Sequence, residues 1–503
     1  MNIRDVLHNT VRKYRSKPAL IFKDVEISFI ELEQQVLKLA NVLKDKGINK
    51  GDKVGIYLPN SPEFVYSYLA VFYLGAVGVP LDYMLKSDEL VSCLSHAQTK
   101  VLIALPKEDV SLSDVAKSIR SLKSVLSIAE PMEGTESLQA LLSESSLELN
   151  ETAISDDDSS LIMYTSGTTG APKGILLTYK HLEGSPEAMK YFVDFSDKDI
   201  KLAAIPLSHI GGFIYLQNCI VFGITLVLMG RFNPYEFLDL VQKYHVTCFH
   251  IVPPMYTAIL SLKHIEKYDL STLRWVVVFG APSSPEIMER FHQYCPNAKL
   301  LNGWGMTETC PPNTVTPLNS KNIASVGKPA PHCKIKIVDE QGSEVKAGEI
   351  GEIVIQGWIL MKEYYKDPQE TARVKKSDGL YTGDLGKLDK EGFLYIVGRK
   401  KEMIKVGGQI VYEPEVEAAL YQHGSIAECA VVGVPDRMKG ETIKAFVVLK
   451  PGTSLTAEDV RYFAREHLAN FKVPHVVEIR EELPKNRTGK IDKALLKNEV
   501  LTK

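Results

Sequence analysis

Tyr164-Thr165-Ser166-Gly167-Thr168-Thr169-Gly170-Ala171-Pro172-Lys173-Gly174 is the stretch on which the reading of this chain turns. The apolar run Leu161-Ile162-Met163 leads straight into it, which predicts a buried strand ending in a hydroxyl-rich loop. Gly167, Gly170 and Gly174 permit tight turns and positive φ, so main-chain N–H groups can converge on an anion with no Cβ in the way. Thr165, Ser166, Thr168 and Thr169 add hydroxyls and Lys173 adds a cation, a set that suits a polyphosphate. A Walker A loop carries Gly directly before Lys-Ser/Thr, whereas here Pro172 precedes the lysine and Gly174 follows it. The stretch therefore suits a polyphosphate without being a Walker A loop.

Outward from the loop, the strand signals alternate with helical ones. Residues 31–46 place Leu32, Val36, Leu39, Ala40 and Leu43 on one apolar stripe, and Gly47 stands where a left-handed cap would end the helix. Residues 54–58, 77–81 and 101–105 read as strands and 63–74 as a helix. The stretches from 202, 248 and 275 read as apolar strands running into turns, the first of them at Ser208-His209-Ile210-Gly211-Gly212. Residues 134–159 are polar and predict surface with one short helix. Alternation of this kind predicts an α/β fold with buried, largely parallel strands.

At 503 residues the chain exceeds what one core usually supports, so more than one domain is expected. Hydrophobic residues at 45% and charged residues at 24% are globular values, and a net charge of −3 disfavours nucleic acid as the main partner. The 7 cysteines are scattered without a Cys-x-x-Cys, which predicts reduced thiols serving as core fillers. The amino-terminal residues lack a signal peptide's apolar centre. The most lipophilic run, 64–81, is broken by Ser67, Gly75, Gly78 and Pro80, which predicts a helix passing into a strand rather than a membrane span. A cytoplasmic location is the expectation.

Residues 164–174 resemble the phosphate-loop signature of the adenylate-forming superfamily, which includes acyl-CoA synthetases, peptide-synthetase adenylation domains and firefly luciferase, and further likeness runs from about Pro18 to Lys490. The resemblance implies a large N-terminal domain with several sheets, residues 1–400, and a small mobile C-terminal α+β domain, residues 401–503, with the hinge at Lys401. Within the second domain, strands near 429–434, 444–449 and 476–479 and helices over 414–421 and 458–468 are expected from the pattern.

Site residues follow from the same resemblance. Thr165, Ser166, Gly167, Thr168, Thr169, Gly170 and Lys173 would hold the ATP phosphates. Gly280, Ala281 and Pro282 would lie against adenine and the acyl chain. Asn302-Gly303-Trp304-Gly305-Met306-Thr307-Glu308 resembles the second nucleotide signature, with Trp304 facing adenine and Glu308, together with Thr165, placed for Mg²⁺; the family more often has tyrosine at position 304. Asp384 would accept from the ribose hydroxyls, assisted by Arg399, since an ionised carboxylate is acceptor-only. His209 would sit beside the substrate carboxylate. Lys490 would serve adenylation, and Lys405 and Gly408 the thiol step with CoA.

The implied activity is ATP-dependent adenylation of a small carboxylic acid followed by transfer to CoA. Ile210, Phe213, Ile214 and Tyr215 are apolar, Gly211 and Gly212 leave space, and no buried cation is evident for a second charge, so a medium- or long-chain fatty acid is the expected substrate. The alternatives are an aryl-acid CoA ligase, a stand-alone enzyme loading a carrier protein, and a non-enzymatic nucleotide-binding protein. Self-association is left open.

Overall fold

A computed structural model of the chain describes residues 3–150, 152–165, 173–280, 285–436, 438–485 and 491–501. The chain divides into two compact units, one of Met1–Lys334 with Gln356–Leu380 and the other of Ile335–Ile355 with Tyr381–Lys503.

The first unit carries two large sheets. In the eight-stranded one, Lys53–Tyr57, Val77–Leu81, Val101–Ala104 and Ser124–Ser127 run parallel. Ser159–Thr165 lies parallel to Val77–Leu81, and Lys173–Thr178 turns back antiparallel upon it. Parallel neighbours need crossovers. One of these is the helix Pro62–Tyr73, opened by the Ser61 side chain accepting from the Phe64 N–H and by Pro62 in its first turn. All of its residues except Glu63 are buried, as befits a helix that is apolar all round. The nine-stranded sheet has as its parallel core Lys299–Trp304, Trp275–Val278, Cys248–Ile251, Ile200–Ala203, Thr225–Leu228 and Pro18–Phe22, in that order.

The helix Phe29–Asp45 shows how local signals and packing agree. Ser28 and Glu31 form a capping box, the predicted stripe of Leu32, Val36, Leu39, Ala40 and Leu43 is buried, and Gly47 takes φ 78°. The short helix expected within 134–159 is Leu138–Glu144. All seven cysteines are buried and unpaired. Among the described residues no helix is long and apolar enough to cross a membrane.

Two features depart from expectation. The turn expected after residue 203 ends at His209, and residues Ile210–Phe222 form a helix. It is apolar on every side, so it has no period to read. Its Gly212 does not leave open space for a ligand: a Cβ there would come within 2.0 Å of the Pro206 carbonyl oxygen, and glycine is what lets the helix start against residues 206–207. Second, there is a buried cation. Lys201 is fully enclosed, with Nζ 5.2 to 5.4 Å from the rings of Phe195, Tyr215 and Trp275, and burial lowers its pKa to about 8. It stands near the amino end of its strand, away from the carboxyl end that leads to His209.

In the second unit, the strands Met403–Val406, Gln409–Tyr412, Ile426–Asp436, Gly440–Leu449 and Val476–Arg480 form a mixed sheet. Packed with it are the helices Glu413–Tyr421 and Ala457–His467, through a core that includes Ile404, Val416, Val431, Ala445 and Val460. The three expected strands are present, and the hairpin 403–412 adds two more.

Candidate active site

In open α/β sheets, ligands gather beyond the carboxyl ends of the parallel strands. In the first unit, three cross-links join those ends from one sheet to the other. Asn60, just past Lys53–Tyr57, is buried; its Nδ2 donates to the carbonyls of Ile205 and Met229 at 3.1 and 3.0 Å, and its Oδ1 accepts from the Leu207 N–H at 2.7 Å. Asp82 follows Val77–Leu81, and its Oδ2 accepts from His209 Nε2 at 3.1 Å. Tyr364, on the edge strand Glu363–Tyr364, donates its hydroxyl to Glu308 Oε1 at 2.9 Å. His209 thus stands at the head of the helix Ile210–Phe222 with its ring oriented by a carboxylate.

The two arms of the phosphate-loop stretch are in register, Thr165 opposite Lys173. Ser166, Gly167, Thr168, Thr169 and Gly170 lie outside the described residues. Lys173 Nζ donates to Glu370 Oε1 at 2.5 Å and lies 5.5 Å from the centre of the Tyr364 ring. Glu370 is held in turn by Arg373, whose Nε and Nη2 donate to it at 2.6 and 2.8 Å. Those bonds, opposed by burial and aided by Lys173, bring the Glu370 carboxyl down to about 2. Burial first, then the neighbouring Glu308 and Glu370, raise the Tyr364 phenol well above its ordinary range, so it remains a donor. Lys173, Tyr364 and Glu308 therefore form one connected group.

The second signature occupies the end of Lys299–Trp304 and the short 3₁₀ turn Thr307–Thr309. Asn302 is buried and its Nδ2 donates to the Ile323 carbonyl at 2.6 Å, so it braces the loop that follows. Gly303 and Gly305 are required by close packing: a Cβ would fall 2.0 Å from the Phe279 ring and 2.5 Å from Pro311 respectively. Trp304 is 8% exposed, Met306 accepts from the Thr309 N–H at its carbonyl, and Thr307 opens the turn that presents Glu308. Gly280 follows Trp275–Val278 with φ 89°, while Ala281 and Pro282 lie outside the described residues.

In the second unit, Asp384 and Arg399 face each other across antiparallel strands with Nε–Oδ1 at 2.9 Å, Asp384 being buried. Lys400 pairs with Glu352 at 2.8 Å, and Lys401 is exposed in the 3₁₀ turn that follows. Lys405 is an exposed strand residue, and Gly407-Gly408, with φ 57° and 83°, make the two-residue turn of the hairpin, where positive φ at both positions demands glycine. Lys490 lies outside the described residues. The flanks of its segment are tied together: Lys485 bridges Ile491, Asp492 N–H donates to Pro484 at 2.7 Å, and Lys493 pairs with Glu413 and Glu417 at 3.0 and 2.7 Å. Burial pushes the Glu413 carboxyl up to about 7.

No group of three or more His, Cys, Asp or Glu that could hold a metal ion occurs among the described residues. A single carboxylate, Glu308, with the Thr165 hydroxyl on the neighbouring sheet, fits an ion that takes most of its ligands from phosphate oxygens and water, as Mg²⁺ does.

Phosphate-loop arms and an acidic turn thus meet at the carboxyl ends of the two sheets of the first unit, an arrangement that suits an enzyme acting on a nucleotide polyphosphate. Residues 7–365 match the AMP-binding enzyme family and residues 415–490 the AMP-binding enzyme C-terminal domain, and the chain belongs to this family. The long-chain-fatty-acid–CoA ligase of Bacillus subtilis is 33% identical over 97% of this chain and 93% of its own length. A feruloyl-CoA synthase of Amycolatopsis is 33% identical over 97% of each. The crystal structure of the anthranilate CoA ligase AuaEII in complex with anthranoyl-AMP is 28% identical and superposes with a TM-score of 0.94 over 100% of this chain and 98% of that one.

Asn60, Asp82, Tyr364 and Glu370, which motif reading passed over, make these cross-links and hold Lys173. Asn60 lies in Pro59-Asn60-Ser61-Pro62, whose composition is that of an ordinary turn and helix start and so gave no signal of its cross-linking role. Tyr364 and Glu370 had a weak signal, a paired Tyr364-Tyr365 just ahead of the Asp367-Pro368 helix start.

Proposed function

We propose that the protein is an ATP-dependent acyl-CoA synthetase acting on a medium- or long-chain fatty acid. In the first step the carboxylate attacks the α-phosphorus and pyrophosphate leaves; in the second the CoA thiol attacks the acyl carbonyl and AMP leaves. A carboxylate and ATP repel each other, so the first step needs cations to offset that charge. Lys173 is the cation at the phosphate-loop arm and Lys490 the one assigned to adenylation. Mg²⁺ held by Glu308 and Thr165 would neutralise phosphate charge. Asp384 and Arg399 take the ribose, His209, oriented by Asp82, takes the substrate carboxylate, and Lys405 and Gly408 serve the thiol step about a hinge at Lys401.

The observation that carries the proposal is the linkage Lys173–Tyr364–Glu308, which gathers the two nucleotide signatures at the strand ends of the first unit. The Bacillus relative supports a fatty acid. Phe213 and Tyr215 contribute less than the sequence suggested, because their rings pack on Tyr68, Phe72 and His250 in the core. An aryl acid is the second reading, favoured by the feruloyl and anthranilate enzymes.

A panel of acids in ATP–pyrophosphate exchange, repeated with and without CoA, tests both. Exchange with fatty acids and thioester formation with free CoA are expected. Signal from aryl acids alone selects the second reading, and signal from amino acids alone ends both. Exchange without transfer to CoA points to a carrier-protein acceptor, and no exchange at all leaves a nucleotide-binding protein.

A further inference from the structure

Glu370 has no role in the function just proposed, yet it holds one of that function's cations. Its Oε1 receives Lys173 Nζ at 2.5 Å, and the carboxylate is not a loose surface group. Asp367 caps the helix Pro368–Val374 by accepting the Glu370 N–H at 2.9 Å. Thr371 Oγ1 accepts from the Tyr364 N–H at 2.9 Å and donates to the Asp367 carbonyl at 2.8 Å, pinning the helix start to the strand that carries Tyr364. The carboxylate is thus presented to Lys173, on the second arm of the phosphate loop, from a fixed platform.

We propose that Glu370 is a positioning residue that parks Lys173, so that a polyphosphate binds by displacing one anion with another. This rests on Lys173 being a phosphate ligand, as proposed above. A multiply charged phosphate tail outbids a single carboxylate for an ammonium group. The displaced Glu370 is not stranded, because Arg373 already donates to both of its oxygens and keeps them satisfied when Lys173 swings away. Arg373 therefore lowers the cost of releasing the lysine, and removing either partner should move affinity in opposite directions. Glu370→Gln frees Lys173, and Arg373→Ala leaves Glu370 with Lys173 as its stronger remaining cation.

The test uses the full-length protein and inorganic pyrophosphate with Mg²⁺ as the probe, by titration calorimetry, alongside KM for ATP in the exchange assay. For a partly exposed pair, Glu370→Gln should tighten pyrophosphate and lower KM for ATP by about three- to fivefold, Arg373→Ala should weaken both by a similar factor, and Glu370→Asp should fall near wild type. The change should fall on KM rather than kcat, a split that a merely structural role of the helix would not give. Unchanged or weaker pyrophosphate binding by Glu370→Gln overturns the proposal, as does a shift of the same sign in both variants. If wild type performs no exchange and yet Glu370→Gln tightens pyrophosphate, parking stands and the synthetase reading falls. If neither protein binds pyrophosphate, both fall.

Discussion

Tyr364→Phe is the substitution that most directly probes the site. It deletes one oxygen, the donor 2.9 Å from Glu308 Oε1, and keeps the ring that lies 5.5 Å from Lys173 and the strand pairing of Tyr364 with Ile175. Tyr364 is 7% exposed, so water reaches the vacated position poorly. A hydrogen bond to a charged group is worth roughly 1.5–3 kcal/mol net, and about 1.4 kcal/mol corresponds to a tenfold change. If Glu308 works only in the orientation the phenol enforces, ATP–pyrophosphate exchange should fall about ten- to 150-fold, and unfolding should lose no more than about 3 kcal/mol, the most that the same bond contributes to the fold. The comparison that isolates the effect is a double-mutant cycle with Glu308→Gln. Because both residues act through one carboxylate, the double variant should be little worse than Glu308→Gln alone. Exchange by Tyr364→Phe within about twofold of wild type, or losses that add in the double variant, would refute the orientation argument.

Three further outcomes are expected. Lys490→Ala should reduce adenylate formation by about a thousandfold or more yet leave thioester formation from supplied acyl adenylate within about tenfold, measured as two separate half-reactions; equal loss in both contradicts the assignment. Lys401→Pro, by stiffening the backbone at the hinge, should slow overall turnover several-fold more than pyrophosphate exchange, and matched rates would remove the hinge. Stability should carry a signature of Glu413, which burial raises from 4.5 to about 7 while Lys493 opposes the shift and Glu402 and Glu417 add to it. A carboxyl with a raised folded pKa binds more protons folded than unfolded, so its stabilisation is complete below about 4.5 and is lost as pH climbs through about 7. The thermal midpoint of Glu413→Gln relative to wild type should therefore rise between pH 5.5 and 8, and parallel profiles would show that Glu413 does not titrate there.

What the sequence made legible was whatever depends on neighbours along the chain. The stripe of the helix Phe29–Asp45, the glycine Gly47 past its end and buried strands such as Trp275–Val278 each follow from local pattern, and each is found in the fold. The helix Ile210–Phe222 was hidden because burial on every side erases the period by which amphipathic helices are read, and two early glycines mimic a turn. Lys201 was hidden for a related reason: between Ile200 and Leu202 a lysine reads as the polar face of a half-buried strand, and only the rings contributed by Phe195, Tyr215 and Trp275 enclose it.

The site divides along the same line. Lys173 and Glu308 belong to compact signatures and could be picked out singly, but the groups that govern them come from residues 364–373, far along the chain and brought in by the strand Glu363–Tyr364 pairing antiparallel to Lys173–Thr178. That pairing has a mechanical effect. Tyr364 shares a strand with the residue opposite Leu176, three positions beyond Lys173, and its hydroxyl ends on Glu308, which follows a strand of the other sheet. Met361 reinforces the joint by donating its N–H to the Glu308 carbonyl at 2.7 Å. One short strand, held by backbone bonds at one end and a phenol at the other, therefore connects the phosphate-loop arm to the carboxylate. The cation that would meet the phosphates and the carboxylate that would meet their metal are thus anchored to one scaffold, which is what a reaction requiring simultaneous grip on both needs.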